Sequence, residues 1–292
     1  MPTARVPSAM TDRGLLGIDG GGSSCRAALV LGARRYDVVL GPANVTTDFE
    51  GAVEALRTAI STLAAKAGAA PETVFSARAH LGLAGVTNPA IAARVAAALP
   101  LTDAVVTGDR PTTIAGALGE ADGAVAAIGT GSFLGRQVGG QATGLGGWGF
   151  HLGDQASGAW LTRRCLEEVM LSVDGLVAGT DLSRRMLAHF GDTPDAIIAF
   201  ARTARPADLA SHAPAIAAAA EAGDPLGRRL MGEGADYIRS GLAVLGWAPG
   251  EGLCLTGGLG PAYARWLGVP VVPAQGSALD GAIRLAARRG GA

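Results

Sequence analysis

Asp19 stands at the end of an apolar segment and is followed at once by three glycines and two serines, in the run GIDGGGSSCR (17–26). Consecutive glycines let backbone amides turn toward an anion, because no side chain covers them. A following serine adds a hydroxyl donor. The predicted phosphate-binding residues of this turn are Gly20, Gly21, Gly22 and Ser23, with the Asp19 carboxylate beside them.

This turn differs from the common nucleotide-binding motifs. It lacks the lysine and Ser/Thr of the Walker pattern, and strand-like residues follow where that motif places a helix. Glycine also serves tight hairpin turns, so the segment alone fits an ordinary hairpin equally well. The preceding aspartate and a second, similar turn favour the phosphate site.

Two further apolar runs end in small residues, AVAAIGTGS (124–132) and LCLTGGLG (253–260). Each also fits an ordinary strand exit. Three such turns in one chain favour a nucleotide site, in which hydroxyls contact phosphate and bare backbone lies flat against a planar adenine. The residues predicted here are Thr130, Gly131 and Ser132 for phosphate, and Gly257 and Gly258 for adenosine.

The bulk composition excludes several functional classes. The 292 residues carry 24 basic and 25 acidic side chains, for a net charge of −1, which argues against a general nucleic-acid binder. Charged residues and glycines interrupt every apolar run before the roughly 18 residues that indicate a membrane span. Three scattered cysteines, Cys25, Cys165 and Cys254, fit buried free thiols. A cytoplasmic protein is expected.

Periodicity predicts a mixed α/β chain that is long enough for two domains. The expected domains are 14–112 and 113–292, the second with a helical insertion at about 154–247, after a disordered leader at 1–13. Both domains open on three strands with a glycine-rich turn, as an internal duplication would leave them. The predicted strands are 14–20, 24–32, 35–41, 74–83, 103–107, 123–129, 132–138 and 141–145, the predicted helices are 49–67 and 89–99, and strand-turn-helix units fill 252–289.

The three turns, taken in order, resemble the phosphate loops and adenosine turn of the sugar kinase, Hsp70 and actin superfamily. The runs GPANV (41–45), TGD (107–109), GGWGF (146–150) and GDQASGA (153–159) are similar to the N-acetylglucosamine kinase branch, the BadF/BadG/BcrA/BcrD type. Within it, the runs SCR (24–26), DQ (154–155) and ARTARP (201–206) look most like bacterial glucosamine kinases. The resemblance implies two ribonuclease H-like (actin-like ATPase) domains around a central cleft.

Asp109 is the candidate catalytic base. It follows an apolar strand and precedes a helix, and a carboxylate at a strand end can accept a proton from a substrate hydroxyl. The resemblance implies that this hydroxyl is the sugar 6-hydroxyl. The same position also fits a helix N-cap. Asp19 is expected to hold Mg²⁺, directly or through water, between its carboxylate and the phosphates of ATP.

The resemblance also implies a sugar site. A carboxylate that accepts hydrogen bonds from vicinal hydroxyls would orient the ring for transfer. Three of the implied residues also fit purely structural roles: Asn44 a turn, Asp154 a helix cap and Trp148 domain packing. The implied sugar-binding residues are Asn44, Asp109, Gly147, Trp148, Asp154 and Gln155.

Gln155 departs from the pattern, because N-acetylglucosamine kinases commonly carry glutamate after the aspartate. A neutral amide cannot pair with the charged amine of glucosamine. The surrounding residues nevertheless resemble glucosamine kinases. The resemblance implies an ATP- and Mg²⁺-dependent glucosamine kinase, with N-acetylglucosamine kinase as the alternative and a BadF-type ATPase activator or a sugar-sensing regulator as alternatives from other classes. The expected partner is a small amino sugar, with no nucleic acid or membrane; relatives are often dimers, and the sequence leaves a homodimer open.

Overall fold

A computed structural model of the protein describes residues 13–22 and 24–289. The predicted leader therefore lies, except for Arg13, outside the described residues, as does Ser23. The chain divides into two compact units. Unit 1 runs up to Ala121 and resumes at Ala274, and unit 2 is Asp122–Pro273.

Unit 1 is built on a five-stranded mixed sheet with the order β3-β2-β1-β4-β5. The first three strands form an antiparallel meander, and β4 and β5 then join parallel to β1. Apolar side chains of β1 and α1, such as Leu16, Ile18 and Leu56, are fully buried in one core. The strands are β1 (Leu15–Gly20), β2 (Cys25–Leu31), β3 (Arg34–Leu40), β4 (Arg78–Leu83) and β5 (Ala104–Thr107), and the helices before residue 121 are α1 (Phe49–Ala67), α2 (Pro71–Phe75), α3 (Pro89–Ala98) and α4 (Asp109–Leu118).

Local signals set the limits of α1. The carboxylate of Asp48 accepts from the Gly51 amide at the N-terminus, and Gly68 ends the helix in the left-handed region at φ 61°.

The predicted start of the fourth strand was wrong. The strand expected at 74–83 begins only at Arg78, because Pro71 opens a short helix whose last residue is Phe75.

Unit 2 repeats the strand pattern in a four-stranded sheet with the order β8-β7-β6-β9. Again a meander is followed by a strand parallel to the first one. This repeat confirms the internal similarity that the sequence predicted. The strands are β6 (Gly123–Ile128), β7 (Ser132–Val138), β8 (Gln141–Gly146) and β9 (Leu253–Thr256).

Six helices separate β8 from β9, in the stretch predicted to be helical, and cover the apolar face of the sheet. A 3₁₀ turn, Gly260–Tyr263, and one short helix follow β9. The helices of unit 2 are α5 (Gly158–Val173), α6 (Asp181–His189), α7 (Pro194–Thr203), α8 (Pro206–Ala210), α9 (Ala213–Glu221), α10 (Pro225–Val244) and α11 (Ala264–Leu267).

The C-terminal helix α12 (Ala278–Arg288) belongs to unit 1 and not to unit 2. The guanidinium of Arg284 donates to the carbonyl oxygens of Ala115 and Gly116 at 3.0 and 2.9 Å. A Cβ built on Gly17 would lie 2.9 Å from Ile283, so β1 and α12 are in direct contact. The observed division after 121 and 273 differs from the predicted boundary at 112/113, because all of α4 belongs to unit 1 and α12 returns to pack on it.

The three cysteines are buried and free, which confirms the prediction of unpaired thiols. Burial raises the pKa of Cys25 to about 11 and that of Cys165 to about 12. Both thiols therefore stay protonated at neutral pH. Across residues 13–22 and 24–289, no helix has both the length and the apolar character that crossing a membrane requires.

The Asp224 carboxylate joins two helices of unit 2. One oxygen accepts from the Leu226 and Gly227 amides of its own helix, at 2.9 and 3.1 Å, and the other accepts from Leu182 of α6 at 2.8 Å. Burial alone would raise the pKa of Asp224, but these hydrogen bonds outweigh it and lower the pKa.

We expect Asp224→Ala to lower the free energy of unfolding by about 2–4 kcal/mol, because a cap is lost and a buried amide loses its acceptor. Urea unfolding at pH 7 measures this. Asp48→Ala, at the exposed cap of α1, is the control and should cost about 1 kcal/mol. Since the folded pKa of Asp224 lies below the unfolded one, the gap between wild type and Asp224→Ala should shrink as pH falls through the folded value. Equal costs for the two variants would contradict the interhelical role.

Candidate functional site

The carboxyl ends of β1, β4 and β5 meet at one edge of the unit 1 sheet, because these strands are parallel. In the register, Asp19 pairs with Gly82, and Gly82 pairs with Thr107. Asp109 follows two residues beyond Thr107, at the start of α4. Both candidate carboxylates therefore lie at the same edge, where open α/β sheets bind ligands.

The first glycine-rich turn is held by backbone hydrogen bonds. Gly21 donates to the Ser24 carbonyl at 2.9 Å, and Ala43 donates to the Gly21 carbonyl at 3.0 Å. In a trans peptide the N–H points opposite to the C=O, so the Gly22 amide is directed away from Ala43. A Cβ built on Gly22 would meet no atom within 4 Å. The turn thus offers a bare amide of the kind that an anion requires.

Burial has the largest effect on the pKa of both carboxylates. It is the largest cause that raises the pKa of Asp19; Arg26 opposes the shift, and the Asp109 carboxylate adds to it. Burial likewise raises the pKa of Asp109, against the smaller opposing effects of its own backbone amide and of Arg110. A desolvated carboxylate with a raised pKa is a better proton acceptor than an exposed one.

Asp109 is the first residue of α4, and the N-cap position belongs to Gly108. The alternative role of Asp109 as a helix N-cap is therefore wrong.

His80, which the sequence analysis missed, contacts the Thr107 hydroxyl at 3.1 Å, and that hydroxyl donates to the Gly108 carbonyl at 2.9 Å. Desolvation, aided by Arg289, lowers the pKa of His80 to about 4, so this chain of hydrogen bonds stays neutral. The sequence signal that could have identified His80 is a polar residue inside the apolar strand β4.

Asn44 lies in the loop after β3, beside this edge. Its amide oxygen accepts from the Thr46 and Thr47 backbone amides at 3.0 and 3.4 Å, so its role as a turn residue is confirmed. A Cβ on Gly85, which has φ 90°, would lie 2.6 Å from that oxygen. The turn therefore holds Asn44 against the exit of β4 through its amide oxygen.

The second glycine-rich turn, in unit 2, is anchored on the N-terminus of α5. The amides of Gly158 and Ala159 donate to the carbonyls of Gly129 and Thr130 at 2.8 and 3.3 Å. These amides are among the first in the helix, which lack partners within it. Because both carbonyls face α5, the amides of Thr130 and Gly131 in the same peptide planes point away from it. Two amides are thus available to a phosphate.

Ser132 does not fit its predicted role. It is only 4% exposed, and its hydroxyl donates to the Gln155 carbonyl at 2.5 Å. The hydroxyl hydrogen is therefore already used, and the prediction that this group donates to phosphate is corrected. Thr130, by contrast, is exposed at the turn.

The third turn lies directly behind the second, because β9 pairs parallel with β6. Gly257 has φ 81°, and a Cβ there would lie 2.3 Å from the Ile128 carbonyl oxygen. Only glycine fits. Gly258 is exposed, and a Cβ on it would meet nothing within 4 Å, so the bare backbone surface predicted for adenosine is present.

The remaining predicted sugar residues lie between β8 and α5. Gly147 has φ 65°, and Trp148 is 74% exposed, so its indole is not packed inside unit 2. Asp154 is 8% exposed at φ 58°. The helix-cap alternative for Asp154 is wrong, since Ser157 caps α5 by accepting from the Trp160 amide at 3.1 Å.

The structure thus gathers the predicted residues into two groups, one per unit. The glycine-rich turn, Asn44 and the two carboxylates lie at the unit 1 sheet edge. In unit 2 the second and third turns are adjacent, and the second contacts the Asp154–Gln155 loop. The described part of the chain contains no cluster of three metal-binding side chains. Mg²⁺ often binds through one or two carboxylates together with water and phosphate oxygens, and Asp19 suits that mode.

The model of the BadF/BadG/BcrA/BcrD ATPase family matches residues 16–265. The glucosamine kinase GspK of Vibrio cholerae serotype O1 is 34% identical over 281 residues, which cover 94% of this chain and 95% of that protein. A Chromobacterium violaceum protein assigned as an N-acetylglucosamine kinase has a crystal structure with a TM-score of 0.81 at 29% identity, covering 94% and 99% of the two chains.

A more distant structure shares the fold alone. The ROK family glucokinase of Streptomyces griseus, solved with glucose and AMPPNP, has a TM-score of 0.56 at 19% identity, covering 95% of this chain and 100% of that one. These similarities and the two-sheet architecture confirm the predicted α/β fold class of two actin-like ATPase domains. The central cleft stays a prediction.

The half-buried carboxylates of Asp19 and Asp109 should lower the stability of the fold at neutral pH. Because the folded pKa values of Asp19 and Asp109 lie above their unfolded values, stability is lost as pH rises from the unfolded to the folded value. Asp19→Asn and Asp109→Asn should therefore each raise the melting temperature at pH 7 by roughly 2–4 °C, the shift that about 1 kcal/mol produces in a chain of this size.

Differential scanning calorimetry at pH 7 and pH 3 checks the pH dependence. The increase in melting temperature should disappear at pH 3, where the wild-type carboxyls are protonated in both the folded and the unfolded state. Asp48→Asn, which keeps a capping side chain at an exposed position, is the control and should leave the melting temperature unchanged. A lower melting temperature for the two site variants would mean that their carboxylates stabilise the fold.

Proposed function

The chain belongs to the BadF/BadG/BcrA/BcrD ATPase family, and we propose that it is an ATP- and Mg²⁺-dependent kinase that phosphorylates the 6-hydroxyl of glucosamine. The observation that carries the proposal is that the carboxylates of Asp109 and Asp19 both lie at the carboxyl edge of the unit 1 sheet. Phosphoryl transfer to an alcohol needs a proton acceptor and a group that manages phosphate charge. The 34% identity to a glucosamine kinase supports the choice of reaction.

Asp109 is proposed as the base. During in-line transfer the sugar O6 forms a bond to the γ-phosphorus while the bond to the bridging oxygen of ADP breaks. The proton of the hydroxyl passes to the Asp109 carboxylate, whose raised pKa favours acceptance. The hydrogen bonds from His80 through Thr107 to Gly108 hold the turn on which Asp109 begins α4.

Asp19 is proposed to hold Mg²⁺, directly or through water. An ion held there would supply positive charge that offsets the charge of the phosphate groups. The fit is chemical: Asp19 supplies a hard oxygen donor in a half-buried setting, where a cation offsets the cost of desolvation that raises its pKa. Asp19 also carries its charge beside the amide of Gly22 in the first glycine-rich turn.

The nucleotide is proposed to use the bare backbone of the three turns. The amides of Gly22, Thr130 and Gly131 point away from the elements that anchor each turn. The Thr130 hydroxyl adds a donor, and Gly257 and Gly258 leave a flat surface for adenosine. Gly20 and Gly21 shape the first turn, and Ser23 remains proposed as a phosphate donor.

For the sugar, we propose the amide of Asn44 and the buried carboxylate of Asp154 as the polar contacts, with Gly147 and exposed Trp148 alongside. Gln155 is neutral and cannot pair with a charged amine. The 34% identity to a glucosamine kinase favours glucosamine as the substrate. The 29% identity to a protein assigned as an N-acetylglucosamine kinase supports the acetylated sugar as the second candidate.

The first test is ADP release with ATP and Mg²⁺ in the presence of glucosamine, N-acetylglucosamine, glucose or no sugar. Glucosamine should raise ADP release many-fold over the sample without sugar, with glucosamine 6-phosphate as product. A preference for the acetylated sugar would select the second candidate. Turnover independent of sugar would indicate the activator class, and sugar binding without turnover would indicate a sensor.

Asp109→Asn tests the base. The amide keeps the size of the side chain but cannot accept the proton, so kcat should fall by about 10²-fold or more, while the Kd values for ATP and sugar change little. Asp48→Asn, in the same unit, should keep the wild-type rate. A rate for Asp109→Asn within a factor of about three of wild type would remove Asp109 as the base.

A further inference from the structure

One contact in unit 2 joins the turn proposed for phosphate to the loop proposed for sugar. The buried hydroxyl of Ser132, at the first position of β7, donates to the Gln155 carbonyl at 2.5 Å. A built Cβ on Gly131 would lie 2.7 Å from the Asp154 carboxylate. Neighbouring residues of one turn therefore contact neighbouring residues of the other loop.

The sugar loop has an unfavourable backbone conformation. Asp154 has φ 58° and Ala156 has φ 68°, both in the left-handed region that L side chains rarely adopt. A segment of this kind persists only where surrounding contacts hold it. The bond from Ser132 to the residue between them is such a contact.

The phosphate turn is held from the same side. Its carbonyls at Gly129 and Thr130 accept from the first amides of α5, and Ser157, which caps α5, donates its own amide to the Asp154 carbonyl at 3.1 Å. The turn, the helix terminus and the sugar loop thus form one hydrogen-bonded set. A displacement of any member changes the bonds of the others.

We propose that Ser132 is a positioning residue that couples the two substrates, so that nucleotide at Thr130–Gly131 increases the affinity for sugar at Asp154–Gln155. The inference rests on the proposed function and adds a coupling between the affinities for its two substrates. A phosphate that orders the turn also orders Ser132, which holds Gln155 and with it the Asp154 carboxylate. By linkage, sugar increases nucleotide affinity by the same factor.

Calorimetric titration measures the coupling directly. The Kd for glucosamine is determined with and without AMPPNP and Mg²⁺, for the wild type, Ser132→Ala and Ser132→Thr. The wild type should bind glucosamine at least about 5-fold more tightly with the nucleotide, which is the lower end of typical coupling. Ser132→Ala should reduce this ratio to near one, and Ser132→Thr should keep it, because threonine retains the hydroxyl.

A second variant approaches the same contact from the other side. Gly131→Ala places a methyl group where the Asp154 carboxylate lies, so it should raise the KM for sugar more than it lowers kcat. Ser172→Ala is the matched control, since it also removes a serine bond to a carbonyl, Val169, within unit 2 but far along α5. The control should keep the wild-type coupling ratio and the wild-type KM for sugar.

The outcomes separate this inference from the proposed function. Absence of sugar-dependent ADP release by the wild type would overturn both. Normal turnover with a coupling ratio near one in the wild type, or an unchanged ratio in Ser132→Ala, would overturn the coupling alone. Weaker AMPPNP binding by Ser132→Ala at an unchanged ratio would restore Ser132 as a phosphate donor and overturn its positioning role.

Discussion

The rest of the structure depends on one strand pairing in each unit. The first strand pairs parallel with the strand that follows the intervening helices. β1 pairs with β4, and β6 pairs with β9. Parallel strands end at the same edge, so each pairing brings a glycine-rich turn next to a second strand exit. In unit 1 that exit, at Ala84 and Gly85, accepts hydrogen bonds from the loop that carries Asn44. In unit 2 it is the turn at Gly257. The candidate site residues follow from this arrangement in both units.

Glycine is required where these exits approach one another. The Cβ that Gly257 lacks would lie 2.3 Å from a carbonyl of β6, and the Cβ that Gly20 lacks would lie 2.6 Å from Leu83 of β4. The same absence of side chains exposes amides on the outer side of each turn. Packing and anion binding therefore depend on the same residues, which is why the three glycine-rich turns stand out in the sequence.

The charges of the site are maintained against a cost of burial. Desolvation raises the pKa of Asp19 and Asp109, and the structure offers Arg26 and Arg110 as only partial compensation. Structural carboxylates elsewhere behave oppositely: hydrogen bonds and Arg35 lower the pKa of Asp280 despite its burial. The two carboxylates at the unit 1 edge thus differ from Asp280 in that burial outweighs their favourable contacts, a pattern that is common at functional sites.

The sequence by itself determined the strand order within each meander, the helix α1 with its cap at Asp48, and the three turns with their bare backbone, because these depend on periodicity and on residues close in the chain. Asp109 and Asp19 could also be selected, since each directly follows or ends an apolar strand. Only the tertiary structure decided that α12 joins unit 1, that Ser132 bonds to Gln155, and that Ser157 rather than Asp154 caps α5. These depend on contacts between segments 23 or more residues apart, or on backbone angles such as the φ of 58° at Asp154, which neighbouring residue types do not specify.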